Sequence, residues 1–281
     1  MLELTFWVIF TLVILAFSCE YIDSTLGMGY GTTLTPILLI LGYNPLQIVP
    51  VILISELITG LMAGFFHHLE GNADLKPKII NPLAIIEELK TFGLIESFKR
   101  GMPHHLKVAL LLALCSILGS VSAVLIAINI PKLWVKLYIG FLVLAMGITI
   151  IFTFNKKFKF SWKKIIGLGL IASFNKGISG GGYGPIVTGG QVLAGVKGKS
   201  AVGITSLAEG LTCAVGILTY ILVSKKPLDL RLAPIIIAGA VLSVPLSAKS
   251  VKKITEKRLK SAIAILTIIL GIYTIFNTLL R

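Results

Sequence analysis

Charged residues in this chain fall into clusters and leave long stretches that hold none. The runs 108–128, 137–154, 232–248 and 261–280 contain no Asp, Glu, Lys or Arg. Two further runs, 45–66 and 200–224, are interrupted by one carboxylate each, Glu56 and Glu209. Each run is close to the roughly 20 residues that an α-helix needs to cross a bilayer core, so the pattern predicts spanning helices. Apolar segments 4–26 and 165–179 each end in a glycine cluster. Behind each cluster comes an apolar piece, 32–41 and 185–194, of about 15 Å as a helix, half of what a crossing requires. The expected fold is all-α, a polytopic transmembrane helical bundle.

The order of these elements repeats. Gly27-Met28-Gly29-Tyr30-Gly31 returns as Gly180-Gly181-Gly182-Tyr183-Gly184. The same offset pairs Thr35 with Thr188, Gly42 with Gly195, Val49 with Val202, Glu56 with Glu209 and Thr59 with Thr212. Later positions align at a shorter offset, Gly147 with Gly271 and Phe152 with Phe276, so the first copy carries an insertion near 77–107. We expect two repeats, 1–154 and 163–281. Duplication within an apolar chain is the mark of many secondary transporters. Inside the insertion, Ile85, Leu89, Phe92, Ile95 and Phe98 recur at helical spacing among charges. That segment reads either as an amphipathic helix lying on the membrane or as a small soluble loop helix.

The basic residues bear on orientation. If each glycine cluster turns a re-entrant hairpin and the repeats are inverted, loops 67–107, 155–164, 195–199 and 249–260 share one face with 19 Lys and Arg, and the other face has 6. Parallel repeats reach 15 against 10 at best. The positive-inside rule favours inversion.

Composition agrees with a membrane chain: 56% of residues are hydrophobic, 14% are charged and mean hydropathy is +0.95. The net charge of +14 would suggest nucleic acid in a soluble domain, but here the cations sit in short loops between spans, so no nucleic-acid partner is expected. The first residues lack a basic stretch and a small-residue cleavage site, so no removable signal peptide is expected. Cys19, Cys115 and Cys213 stand far apart in apolar runs and predict no disulfide.

Three sets of residues carry candidate chemistry. Glycines cost about 1 kcal/mol each in a helix interior, and Pro185 suits the first turn of a new helix. The chain is therefore expected to break within the membrane at Gly27, Gly29, Gly31 and at Gly180, Gly181, Gly182, Gly184. A restarted helix presents free N–H groups and a partial positive charge, which suits an anion. On this reading Ser24, Thr25, Tyr30, Thr32, Ser179 and Tyr183 join the glycines in a substrate site. The competing reading is that the glycines only let helices pack closely. Lys176, just before the second cluster, either binds the anion, pairs with its repeat-mate Asp23, or snorkels to the interface. Glu56 and Glu209, with Thr59 and Thr212 on their faces, either carry protons through a transport cycle or donate hydrogen bonds to broken-helix carbonyls. His67, His68, Glu70, His104 and His105 match no zinc spacing and read as surface-loop residues beside the insertion. No metal, cofactor or catalytic constellation is expected.

On these residues the chain resembles the sulfite exporter TauE/SafE family. The features in common are Gly27–Gly31 with Pro36, Gly42-Tyr43-Asn44-Pro45, Gly180–Pro185, the run Lys199-Ser200-Ala201-Val202-Gly203-Ile204-Thr205-Ser206, and the loop pairs Asp74-Leu75 and Asp229-Leu230. The resemblance implies a multi-pass permease of the cell membrane for small sulfur-containing anions such as sulfite, thiosulfate or an organosulfonate. Its partners would be that anion and the bilayer, with a homo-oligomer left open. The alternative class is a non-transporting membrane assembly or sensor subunit.

Overall fold

The computed structural model describes residues 5–77, 87, 90, 91, 96, 100–152, 161–193, 196–224, 227–251 and 256–280. All regular structure among them is helical: α1 (Phe6–Leu26), α2 (Tyr30–Ile40), α3 (Pro45–Leu69), α4 (His104–Asn129), α5 (Lys132–Phe152), α6 (Trp162–Ser179), α7 (Tyr183–Leu193), α8 (Gly198–Val223), α9 (Ala233–Ser250) and α10 (Glu256–Leu279). Among the described residues six helices, in α1, α3, α4, α5, α8 and α9, are long and apolar enough to cross a membrane. The protein is a multi-pass membrane protein. Most of the amphipathic stretch expected at 82–100 lies outside the described residues.

Both helix breaks fall where the glycines are. α1 stops at Gly27 (φ 69°) and α6 at Gly180 (φ 73°), each in the left-handed region that a side chain resists. The Gly27 N–H closes onto the Asp23 carbonyl at 2.5 Å and the Gly180 N–H onto Lys176 at 2.8 Å. The helices that restart, α2 and α7, have 11 residues each.

Apolar surface gains little from helix association when lipid is the solvent, so close backbone packing has to hold the bundle. Small residues permit it. Gly60 of α3 meets Gly210 of α8 so closely that a Cβ on Gly60 would lie 2.8 Å from the Gly210 Cα. Gly239 of α9 rests on the Val13 backbone of α1, and Gly177 of α6 on Ser120 and Ala123 of α4. Gly271 of α10 abuts Leu144 of α5. Large apolar side chains such as Phe10, Leu118, Leu222 and Phe276 face outward.

Polar contacts gather the helix ends into two groups. Asn72 Nδ2 donates to the Ala248 carbonyl (3.1 Å), Ser200 Oγ to the Asn72 carbonyl (3.0 Å) and the Asp74 N–H to His105 Nδ1 (3.0 Å). The rings of His104 and Trp162 are 5.4 Å apart. At the other end of α3, Gln47 Nε2 donates to Asp229 Oδ2 (2.6 Å) and Lys132 Nζ to Asn44 Oδ1 (3.5 Å).

One of the histidines assigned to the surface is not there. His67 is fully buried, and its Nε2 donates to the Ser24 carbonyl at 2.8 Å while Nδ1 accepts from Asn72. The cause is the helix break. The last carbonyls of α1 have no partner of their own, and His67 satisfies one of them.

The Asp229 loop carries a testable acid dependence. Its carboxylate is held by the Arg231 side chain and by Gln47, and is pushed down to about 2. A depressed carboxylate contributes stability above the unfolded value of about 3.9 and loses it as pH falls through about 2. Hydrogen-exchange protection across 227–232, taken relative to the intrinsic rate at each pH, should therefore fall as pH drops through that window. Asp229→Asn should show the lower protection already at neutral pH.

Candidate functional site

The two breaks lie against each other. A Cβ added at Gly31 would run into the Gly180 carbonyl, and one at Gly184 into the Gly27 carbonyl. Thr188 Oγ1 donates to the Gly27 carbonyl at 2.7 Å and joins Thr205 Oγ1 at 2.8 Å. The carbonyls freed at the two breaks are met at matching positions of the two copies. Ser24 receives His67, and its counterpart Gly177 receives the Tyr220 hydroxyl at 3.1 Å.

Beside this crossing, five ionisable side chains are buried together. Lys176, with no exposed surface, contacts Glu56 Oε2 and donates to Glu209 Oε1 at 2.7 Å. Lys176 thus bridges the two repeated glutamates and does not take Asp23 as its hydrogen-bonded partner. Asp23 accepts from the Tyr30 N–H at 3.1 Å instead. That N–H begins α2, so a built-in carboxylate sits where an external anion was expected at the first break.

The fifth group is Glu20, one turn before Asp23 and Ser24 on the same face of α1. It is buried, and accepts from Ser24 Oγ (2.6 Å) and Thr59 Oγ1 (3.1 Å). The sequence reading missed it. The available signal was a second carboxylate in an apolar segment, three residues from Asp23.

Four carboxylates surround a cavity of about 10 Å³, room for a single water. Glu20, Asp23, Glu56 and Glu209 line it, with Thr59 and Ser206. Glu56 Oε1 is buried without a hydrogen-bond partner. One oxygen each from Asp23, Glu56 and Glu209 lies within 4.8 Å of the others, a set that would suit a hard cation. The Lys176 ammonium already serves two of those three residues.

The remaining expected site residues divide. The Tyr30 hydroxyl pairs with Ser55 Oγ at 2.7 Å, next to Glu56, and the Tyr183 hydroxyl lies 3.4 Å from Thr212 Oγ1, one turn past Glu209. Both tyrosines therefore tie a break to a carboxylate helix. Thr32 Oγ1 is buried and unpartnered. Gly29 (φ 138°) and Gly182 (φ 79°) hold backbone shapes that a side chain would strain. Thr25 turns back to the Tyr21 carbonyl of its own helix. Ser179 donates to Asn175 (2.6 Å) and receives the Gly181 N–H (3.1 Å), so it closes the second break on itself.

A family description, "Sulfite exporter TauE/SafE", matches residues 89–274. The chain belongs to the sulfite exporter TauE/SafE family. As a family member it is similar to the "Probable membrane transporter protein YtnM" of Bacillus subtilis (strain 168), at 25% identity over 272 residues, covering 92% of this chain and 79% of that protein. No solved structure matches. TauE/SafE membership makes the chain a membrane transporter, and the buried cluster is read on that footing.

Proposed function

We propose that this protein is a secondary transporter of a small sulfur-containing anion, such as sulfite, thiosulfate or an organosulfonate, with protons as the coupling ion. The observation that carries the reading is Lys176. It is a fully buried ammonium one turn before the second helix break, held by Glu56 and Glu209 from two other helices. A cation at that depth is costly and is retained for a task. The Lys176 ammonium, the unpartnered Thr32 hydroxyl and the break N–H groups other than those of Gly27, Tyr30, Gly180 and Gly181 would each give an oxyanion a charge-assisted hydrogen bond of roughly 1.5–3 kcal/mol. The proposed site residues are Ser24, Thr25, Gly27, Gly29, Tyr30, Gly31, Thr32, Lys176, Ser179, Gly180, Gly181, Gly182, Tyr183 and Gly184.

In this reading 1–154 and 163–281 are inverted repeats, and each short helix after a break returns toward the side its predecessor came from. The two groups of helix ends support it. Asn72, Ser200, Ala248, His104 and Trp162 gather the loops rich in Lys and Arg, while Gln47, Asp229, Asn44 and Lys132 gather the others. Inverted repeats rocking about a central site are a common route to alternating access.

Flux of a panel of sulfur and non-sulfur oxyanions into proteoliposomes tests the substrate class. Equal transport of all, or of none, would reject it. Glu56 and Glu209 are the proposed proton carriers. Glu56→Gln and Glu209→Gln keep shape but cannot release a proton, and each should flatten the dependence of flux on an imposed pH gradient. Wild-type gradient dependence in both would make the two carboxylates structural.

A further inference from the structure

We propose that Glu20 and the one-water cavity beside it form a proton-loading site that passes its proton to Glu56 and so frees Lys176 for the anion. The inference rests on the transport reading above and names how proton and substrate are linked.

Glu20 differs from the two glutamates in one respect: among the described residues, no cation touches it. The Lys176 ammonium is spent on Glu56 and Glu209. Asp23 has the α2 N-terminus. Glu20 has two hydroxyls, Ser24 and Thr59. Uncompensated charge at this depth is costly, so the charge beyond one ammonium must be met by mobile cations, of which the proton is the smallest. The Thr59 hydroxyl can accept as well as donate. Both contacts of Glu20 therefore survive when the carboxylate gains a proton, and the site serves both states.

Among the described residues, the groups that compete with Glu20 for a proton are the carboxylates of the same cluster. Glu20 faces Cys19 and Asp23 on α1, Tyr30 on α2, Glu56 on α3, and Glu209 and Cys213 on α8, while Lys176 on α6 stands behind Glu56 and Glu209. α9, packed along α1, carries a single charged residue, Lys249, which is exposed near its end. His67 reaches the cluster only through the Ser24 carbonyl.

The receiving atom is Glu56 Oε1, the unpartnered buried oxygen of a residue that lines the cavity. A proton leaves the Glu20 carboxyl for the cavity water as that water gives one to Glu56 Oε1. Glu20 becomes the carboxylate, Glu56 the neutral acid, and the total charge is unchanged. Oε2 of a neutral Glu56 can still accept a hydrogen bond but no longer offers the Lys176 ammonium an ion pair. Lys176 then has spare charge one turn from the Gly180 break, where the proposed anion site lies. Proton and anion binding thereby favour each other, and by reciprocity each raises the other's affinity.

Two measurements on purified full-length protein test this. The first needs no substrate: infrared difference spectra across pH, comparing wild type with Glu20→Gln and Glu56→Gln. The expected result is a protonated-carboxyl stretch at neutral pH that Glu20→Gln removes and Glu56→Gln keeps. A band unchanged in Glu20→Gln overturns the proposal. If Glu20→Gln does not fold, Thr59→Val should shift the band by removing a hydrogen bond, and an unmoved band is the overturning result. The second measurement is sulfite or thiosulfate affinity against pH. Wild-type binding should tighten as pH falls, by up to about tenfold per unit for one linked proton, and Glu20→Gln should flatten that slope. Affinity that follows Na⁺ at fixed pH, and not pH, overturns proton loading in favour of a metal cation. If none of the oxyanions binds, the transport reading fails while the infrared band still decides on Glu20.

Discussion

Lys176→Met will destabilise the protein more than any other single side-chain change in the site. The substitution keeps an unbranched chain of similar length and removes only the ammonium. Glu56 and Glu209 would then face each other, buried, with Asp23 and Glu20 beside the same cavity. Removing one partner of a buried ion pair typically costs about 3–5 kcal/mol, because the remaining charge is left uncompensated. The variant should give a low yield of folded protein, or a lowered unfolding midpoint in detergent. The companion variant separates charge from shape. Lys176→Met combined with Glu56→Gln and Glu209→Gln removes the repulsion and should restore most of the midpoint, yet it should transport no anion. If Lys176→Met alone unfolds like wild type, the ammonium is not the counter-charge of the two glutamates. A triple variant that still moves anions would remove Lys176 from the site.

Much of this was legible because a bilayer imposes simple rules on a chain. Gaps between charges mark spans, and Glu56 and Glu209 stood out as lone carboxylates within such gaps. The doubled glycine cluster announced both breaks. Partners inside the cluster were harder to read. Repeat logic offered Asp23 as one partner for Lys176, beside an anion or the interface, since the two are equivalent positions. Equivalent positions need not touch: the long lysine side chain reaches α3 and α8, while Asp23 bends to an N–H seven residues on in its own chain. Glu20 escaped because the repeat points to Asp23, opposite Lys176, whereas the position equivalent to Glu20 in the second copy is the uncharged Ser173. His67 adjoins a charged loop in sequence, so burial was not expected. Its place follows from the carbonyl that the α1 break leaves open, a demand visible only once the break has a position in space.

Gly31→Ala will disrupt the meeting of the two breaks although it adds one methyl group to a helical residue with ordinary backbone angles. The new Cβ would fall onto the Gly180 carbonyl, with the Gly181 Cα 2.8 Å away. These are backbone atoms, so no rotamer change relieves the overlap, and α2 must move away from the Gly180 break. Overpacking of this kind typically costs about 1–3 kcal/mol and sometimes more. The displacement would also draw Tyr30 from Ser55 and its N–H from Asp23, the two contacts that tie the first break to the carboxylate cluster. Gly184→Ala should behave alike, because its Cβ would meet the Gly27 carbonyl and Met28 Cα across the same crossing. Gly167→Ala on α6 is the control: nothing lies within 4 Å of its added Cβ, and alanine favours a helix interior by about 1 kcal/mol. Thermal unfolding in detergent and anion flux in proteoliposomes should drop together for the two crossing variants and hold for Gly167→Ala. Wild-type flux in both Gly31→Ala and Gly184→Ala would mean that the breaks need not touch for transport, and would move the anion site away from their crossing.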